Sequence, residues 1–541
     1  MLNLAVPMAI GTLGIFLKGL LLPWTTKSSY SLQCSSSAIP YPTLRGAEFL
    51  SLTATEIQNH SVPSAWSASD FPPVEVKGLN FCNVSLTYTH PGQNDSINVH
   101  VWLPMDHWNG RFQGTGGGGF ATGMFDSILA VVVSQGYSAA ATDGGHSAAP
   151  EKAVSCSDWA LISPGNVNLY ALQNFASVAL NDMTVIGKAV TKSYYGAAPK
   201  YSYWNGCSTG GRQGIMMAQR YPEAYHGILA AAPAINFVRL IMGGYWPQFV
   251  MNKLGVYPSQ CELEAIAHAA VEACDSFDGV EDGIVAAPGL CNFDAKSLVG
   301  KEITCDGDKV KISASAVEVA EETWKGATSS TGKSLFPGLT KGTPFQVLAG
   351  TKCHDNGTCH GTPFQIAPEW ISYFIKKDPD FDASTITTQK EFDRLFHASV
   401  QEFNSMIGTD NPDLSEFRDA GGKMITWHGI ADPLVLINGT SEYYERVQEL
   451  DPDVRDYYRY FEAPGIWHCG GGEGAYPSHS LDALVRWVEH GEVPDILAAE
   501  TKPDDDGNVK KLNLCPYPLV AAYQGGDSAD AKSYACKASF S

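Results

Sequence analysis

The stretch Tyr201-Ser-Tyr-Trp-Asn-Gly206-Cys207-Ser208-Thr209-Gly210-Gly211-Arg-Gln-Gly214 constrains the fold more than any other part of the chain. It places the pattern G-x-S-x-G, Gly206 to Gly210, between a strand-like segment and a helix-like one at residues 215–220. A serine hydroxyl is a poor nucleophile and must project to where a base can reach it. A sharp strand-to-helix turn raises Ser208 above the edge of a sheet, and glycines two residues to either side relieve the crowding. The amide of Thr209 then stands at a helix N-terminus, ready to donate to an oxyanion. A phosphate-binding glycine loop is the competing reading, but it wants a Lys-Ser/Thr pair at its end, and none is present. Cys207 as nucleophile is the other; next to Ser208 it would point elsewhere on the turn, which suits a disulfide partner better.

The sequence around this turn alternates strands and helices, which implies a parallel sheet wrapped by helices. Residues 34–76 read as irregular and polar, and strands begin at Lys77. Residues 83–90 and 96–104 alternate apolar and polar side chains across a Pro-Gly-Gln-Asn-Asp turn, so they form an antiparallel hairpin with one face buried. Gly114-Thr-Gly-Gly-Gly-Gly-Phe follows, then strand or helix candidates at 128–133 and 138–142, a helix over 167–193, and further elements at 200–220 and 227–232. Near Ile235 the rhythm stops. Residues 236–422 are rich in Cys, Gly, Pro and aromatic residues without a βα repeat, and the rhythm resumes at Lys423-Met-Ile-Thr-Trp-His-Gly. The expected layout is a leader over 1–29, a catalytic domain split between 30–235 and 423–541, and an insertion over 236–422 packed on the sheet's C-terminal edge. The tail beyond Val493 is polar and held down by Cys515 and Cys536.

After the insertion, Trp427-His428-Gly-Ile-Ala-Asp432-Pro puts an aspartate in the turn after an apolar strand. Further on, Gly465-Ile-Trp-His468-Cys469-Gly-Gly-Gly puts a histidine in a glycine-rich loop before a last helix at 480–490. Serine, then acid, then histidine is the chain order of a nucleophile-elbow triad. The imidazole takes the serine proton, and the carboxylate fixes its tautomer and steadies the imidazolium. His428 competes with His468 and is expected to be buried at the strand end. Cys207 precedes the serine and Cys469 follows the histidine, so if Ser208 and His468 meet, the two sulfurs can bridge and tie the loops together. Cys353-His-Asp-Asn-Gly-Thr-Cys359-His reads as a short disulfide-closed loop rather than a zinc site.

Composition and termini bound the setting. The 36 basic against 57 acidic residues give a net charge of -21, which repels phosphate backbones and, with no basic run, argues against a nucleic-acid partner. The apolar N-terminal stretch, interrupted by Lys18, reads as an imperfect signal peptide; Pro7 and Lys18 make a poor membrane anchor. Thirteen cysteines and N-x-S/T sequons at Asn59, Asn83, Asn94, Asn356 and Asn438 also point to secretion, with no membrane attachment after leader removal.

The Cys-Ser-x-Gly-Gly-Arg-x-Gly box at Cys207 to Gly214, the Gly-Ile-Trp-His-Cys run at Gly465 to Cys469 and the early glycine-rich stretch together resemble the tannase and feruloyl esterase family. The resemblance spans nearly all of the chain after the leader. It implies an α/β-hydrolase fold with a lid domain between nucleophile and acid, and hydrolysis of aromatic-acid esters. Feruloyl or hydroxycinnamoyl esters of plant cell wall sugars are the first expectation, galloyl esters of tannin the second. It implies oxyanion donors at Thr209 and one of Gly117 or Gly118, and disulfides Cys274–Cys291, Cys34–Cys82 and Cys515–Cys536. It also implies a structural calcium in the lid, held by Asp275, Asp278, Asp282 and the carbonyls of Val280 and Ile284; three aspartates on a tightly curled loop supply hard oxygen ligands. Cys156, Cys261 and Cys305 stay unassigned, with at least one thiol left over by the odd count. Lid aromatics Tyr245, Trp246, Phe249, Trp370 and Phe374 are candidates to stack on an acyl ring, though each reads more readily as core. A catalytically silent member of the fold acting as a binding protein is the rival from another class. A serine carboxypeptidase is disfavoured because its serine box carries an acidic residue where Cys207 stands.

Overall fold

The computed structural model describes residues 33–67, 70–305, 307–504 and 506–540; the leader expected over 1–29 lies outside them. A nine-stranded mixed sheet forms the centre. Its strands are β1 (Glu48–Ser67), β2 (Asp70–Thr89), β3 (Ile97–Pro104), β4 (Arg111–Thr115), β5 (Ser138–Thr142), β6 (Tyr201–Cys207), β7 (Gly227–Ala231), β8 (Lys423–Gly429) and β9 (Tyr458–Ala463). They lie in the order β1-β2-β3-β5-β4-β6-β7-β8-β9. The first three are antiparallel neighbours, β3 meets β5 antiparallel, and every pairing from β5 through β9 is parallel.

The expected hairpin is the β2–β3 pair, with Cys82 opposite Leu103 and Leu86 opposite Val99. The stretch read as irregular contains β1 and the start of β2. Ile57, His60, Val62 and Ala65 mark successive register shifts against β2, and such bulges break the period-two pattern by which a strand is recognised. Residues 128–133 form helix α1 (Asp126–Ser134), with all six buried. The helix expected over 167–193 is two, α2 (Leu169–Ala176) and α3 (Val178–Tyr195), because Ser177 between them leaves helical geometry, with φ -162° and ψ -36°.

Helices cover both faces of the sheet. On one side α3, α4 (Thr209–Arg220) and the helix Ile437–Leu450 pack Met183, Ile186, Ile215, Met217 and Tyr443 against Val99, Phe112, Trp204 and Met424. On the other, α1 and the helix Ser480–His490 bury Leu129, Val132, Leu484 and Trp487 against Tyr203, Leu229 and Trp427. Arg212 on α4 is fully buried, with guanidinium groups donating to the carbonyls of Phe175 and Ala176 at the end of α2. Burial lowers its pKa to about 9, and the negative end of a helix suits the charge it retains.

The chain leaves the sheet after β7 through α5 (Phe237–Gly244), α6 (Trp246–Leu254), α7 (Gln260–Cys274), α8 (Ala314–Lys325), the short α9 (Ile366–Glu369), α10 (Gln389–Ile407) and α11 (Ser415–Asp419). The helices from α5 to α10 and two short hairpins, through Ile303 and through Ala327 and Phe336, share a core containing Phe249, Ile266, Val319, Phe345, Trp370 and Phe392. The last piece of the stretch behaves differently: Leu414 and Phe417 join the core of the sheet. The chain then completes β8, α12 (Ile437–Leu450), β9 and α13 (Ser480–His490). Disulfides join Cys34–Cys82, Cys207–Cys469, Cys274–Cys291, Cys353–Cys359 and Cys515–Cys536, as expected, and also Cys261–Cys305; Cys156 is free and buried. Among the described residues no helix is long and apolar enough to cross a membrane.

Candidate active site

Ser208 stands at the turn between β6 and α4 with φ 62° and ψ -124°, a conformation that costs a non-glycine residue about 1–3 kcal/mol. Its surroundings leave no choice. The Ser208 amide donates to Ala231 O at 3.1 Å, and its carbonyl accepts from Ala234 and Arg212, each at 3.0 Å. A side chain on Gly206 would run into Gly210 at 2.5 Å, so the turn closes only with glycine there.

Asp432 follows β8 and is buried, with its carboxylate fully engaged. Oδ2 accepts from His468 Nδ1 at 2.7 Å and from His428 Nε2 at 3.0 Å, while Oδ1 accepts the amides of Leu434 and Val435 at 2.9 Å each. Burial by itself would raise the pKa of this acid; His468 and His428 outweigh it and hold the carboxyl well below its usual range. His428 is completely buried, as expected, and is a partner of the acid as well. Its Nε2 also faces Val435 O at 3.0 Å, so that nitrogen carries the proton and Nδ1 accepts from the Thr440 hydroxyl.

The loops of acid and histidine are pressed together. A side chain on Gly429 would meet Ile466 O at 2.1 Å, and the amide of Ala431 donates to that same carbonyl at 3.2 Å. Cys469, in the left-handed region at φ 59°, turns its sulfur onto Cys207 with the two Cα atoms 5.9 Å apart. The neighbours of Ser208 and His468 are therefore covalently joined, and His468 is bonded to Asp432.

The glycine-rich loop after β4 lies against the start of α4. Gly210 donates to Gly117 O at 3.0 Å, and the Thr209 hydroxyl donates to Gly119 O at 2.7 Å. The Gly117 amide donates to the side chain of Gln213 at 3.0 Å, which commits it internally and leaves Gly118 as the glycine of the expected pair to work with Thr209. Beside Ser208 opens a pocket walled by Phe237, Leu240, Ile241, Tyr245, Leu348, Pro363, Phe364, Ile366, Leu434 and Val435. Apart from Ser208, its hydroxyls already donate elsewhere, Thr209 to Gly119 O and Tyr245 to Ala383 O at 2.8 Å. Of the aromatics singled out from the sequence, Tyr245 lines this pocket, while Trp246, Phe249, Trp370 and Phe374 fill the lid core. Phe237 and Phe364 escaped notice, since nothing in an aromatic-rich stretch tells wall from core.

The lid loop after α7 gathers the acidic residues expected to hold a metal. Asp275 accepts the amides of Asp282, Gly283 and Ile284 at 3.0 to 3.2 Å, which curls the loop. Asp278, Val280, Asp282 and Ile284 border one cavity beneath the C-terminal tail. Burial, followed by the charges of Asp282 and Asp275, pushes Asp278 up to about 6, and Asp282 Oδ1 is buried without a partner. Among the described residues no three His, Cys, Asp or Glu side chains make a metal cage alone, so a cation here would draw on main-chain carbonyls too. An orphaned buried oxygen and two mutually repelling carboxylates fit a hard divalent cation.

A mixed sheet with a serine elbow after β6, an acid and a hydrogen-bonded histidine after β8 and β9, and a lid over them defines an α/β-hydrolase of the ester-hydrolysing class. A sequence profile for tannase and feruloyl esterase matches residues 82–537, and the chain belongs to that family. It is 41% identical over 544 residues to the probable feruloyl esterase of Arthroderma benhamiae, covering 98% of this chain and 99% of that one. Among solved structures, tannin acyl hydrolase from Aspergillus niger superposes with a TM-score of 0.83 at 28% identity, over 93% of both chains. Feruloyl esterase B from Aspergillus oryzae superposes with a TM-score of 0.74 at 25% identity, over 92% of this chain and 97% of that one.

Proposed function

We propose that this chain is a secreted serine esterase that hydrolyses feruloyl and related hydroxycinnamoyl esters of plant cell wall sugars through an acyl-enzyme. One observation carries the reading: His468 is bonded to Asp432 at 2.7 Å while the Cys207–Cys469 bridge ties its neighbour to that of Ser208. Asp432 keeps the proton on Nδ1 of His468, leaving Nε2 to act as base toward the Ser208 hydroxyl. Ser208 attacks the ester carbonyl, the oxyanion rests on the amides of Thr209 and Gly118, and His468 returns the proton to the departing alcohol. Water then repeats the cycle on the acyl-enzyme and releases the acid.

The apolar wall beside Ser208 favours a methoxylated cinnamoyl group. A galloyl ring would bury adjacent hydroxyls with few partners, at about 1–3 kcal/mol for each one left unpaired. The likeness to tannin acyl hydrolase is what favours the galloyl reading instead. Turnover of methyl ferulate and methyl gallate decides between them: kcat/KM is expected to be at least about tenfold higher for ferulate, equivalent to 1.4 kcal/mol. A large excess for gallate reverses the ranking. Labelling of Ser208 by a fluorophosphonate, lost in Ser208→Ala, separates an esterase from a silent binding protein.

Six disulfides support passage through an oxidising compartment. Asn59, Asn356 and Asn438 are exposed acceptors for glycans. In the lid, Asp275, Asp278, Asp282 and the carbonyls of Val280 and Ile284 would hold calcium, whose contribution is charge neutralisation that keeps the loop folded and takes no part in the reaction.

A further inference from the structure

Gln213 lies on the second turn of α4 and is completely buried, although nothing in the triad chemistry requires a glutamine there. Both ends of its amide are used, and both on the same loop. Oε1 accepts the amide of Gly117 at 3.0 Å, and Nε2 donates to the carbonyl of Thr122 at 2.9 Å. One side chain thus clasps both ends of the turn that contains Gly118. Its first part, Gly116 to Gly119, has no side chains to brace it, while Phe120 turns into the neighbouring core. A Cβ on Gly117 would strike Ala121 O at 2.1 Å, and one on Gly116 would strike the Gly210 Cα at 2.4 Å. The Gly210 amide holds Gly117 O, on the far side of the Gly118 peptide, and the Thr209 hydroxyl pins Gly119 O; among the described residues it is Gln213 that engages Gly117 N and Thr122 O, at the two ends of the turn. An oxyanion site works by donors fixed in advance, so whatever sets the direction of the Gly118 amide sets part of the barrier.

We propose that Gln213 is a positioning residue for the oxyanion site: it takes up the Gly117 amide and anchors Thr122, so that the Gly118 amide is the one presented beside Thr209. The assignment rests on the Ser208 acyl-enzyme reading. It requires a group that accepts at one end and donates at the other. A leucine supplies neither, and a glutamate supplies both only while protonated; ionised, it turns a second acceptor on the Thr122 carbonyl.

The test compares the full-length wild type, Gln213→Leu and Gln213→Glu on methyl ferulate between pH 5 and 8, with thermal melting to verify folding and fluorophosphonate labelling of wild-type Ser208 as a separate control. Gln213→Leu is expected to lose about 100-fold in kcat, the scale of one oxyanion donor, with KM changed less than about threefold. Gln213→Glu is expected to approach wild type at the acid end, its kcat ratio to wild type falling as pH rises and the buried carboxyl ionises. That near-isosteric variant serves even if Gln213→Leu does not fold. A folded Gln213→Leu with wild-type kcat, or a Gln213→Glu ratio independent of pH, overturns the proposal. If wild-type Ser208 does not label, the acyl-enzyme reading has failed first and the positioning role falls with it.

Discussion

Burial would drive the Asp432 carboxyl toward its neutral form, yet two histidines on one oxygen and two amides on the other keep it charged. A depressed acid pKa contributes stability above the unfolded value, and that contribution disappears as pH falls through the folded one. The same bonds define what the residue does for His468. In Asp432→Asn the amide oxygen can still receive Leu434 and Val435, but the NH2 group then faces ring N–H donors. The histidine would adopt the wrong tautomer, and kcat is expected to fall about 10³–10⁴-fold in a folded protein, measured on methyl ferulate. The glycine turn and the chain order make Ser208, Asp432 and His468 legible in the sequence. Gln213 is not legible, because a glutamine in a helix reads as surface. Its burial arises because α4 is enclosed on every side from Thr209 to Ala218, which no residue pattern within the helix announces. Likewise only the hydrogen bond to Gln213 distinguishes Gly117 from Gly118.

Among the elements, the strands that could be read were those with clean alternation or continuous burial, such as β3, β6 and β8. The edge strand β1 hides behind its register shifts, and the split between α2 and α3 at Ser177 interrupts a helical pattern that itself continues. Long-range ties that no motif announces were beyond reach, because they join positions with no local relation. Arg111 at the start of β4 donates to Glu489 on α13 through two bonds of 2.6 and 2.9 Å, and Tyr203 on β6 adds a third at 2.7 Å. Burial opposes the charge of Glu489, but Arg111 and Tyr203 prevail and lower its pKa. The tie should therefore be present at neutral pH and lost on acidification. Glu489→Gln is expected to cost about 1–3 kcal/mol at pH 7 and progressively less as the pH falls through the acid range, as read from urea midpoints of variant and wild type along a pH series.

At the level of the whole molecule, the sheet carries Ser208, Asp432 and His468, while the inserted stretch supplies most of the wall of the pocket that Ser208 lines. The acidic lid loop lies where that stretch meets the C-terminal tail, with Asp278 and Asp282 bordering the same cavity as Leu512 and Val520. If calcium neutralises it, a chelator should lower the melting temperature of the wild type by several degrees, and excess calcium should restore it. Asp282→Asn should melt at the chelated value with or without the metal; a wild type indifferent to chelator would rule the ion out. The Cys207–Cys469 bond spans 262 positions, and everything inserted between β7 and β8 lies inside the ring it closes. Severing the backbone anywhere in that insertion would yield two fragments that remain one molecule, with serine and histidine still anchored side by side. The inserted stretch can thus be cut without parting the two loops that the bridge holds.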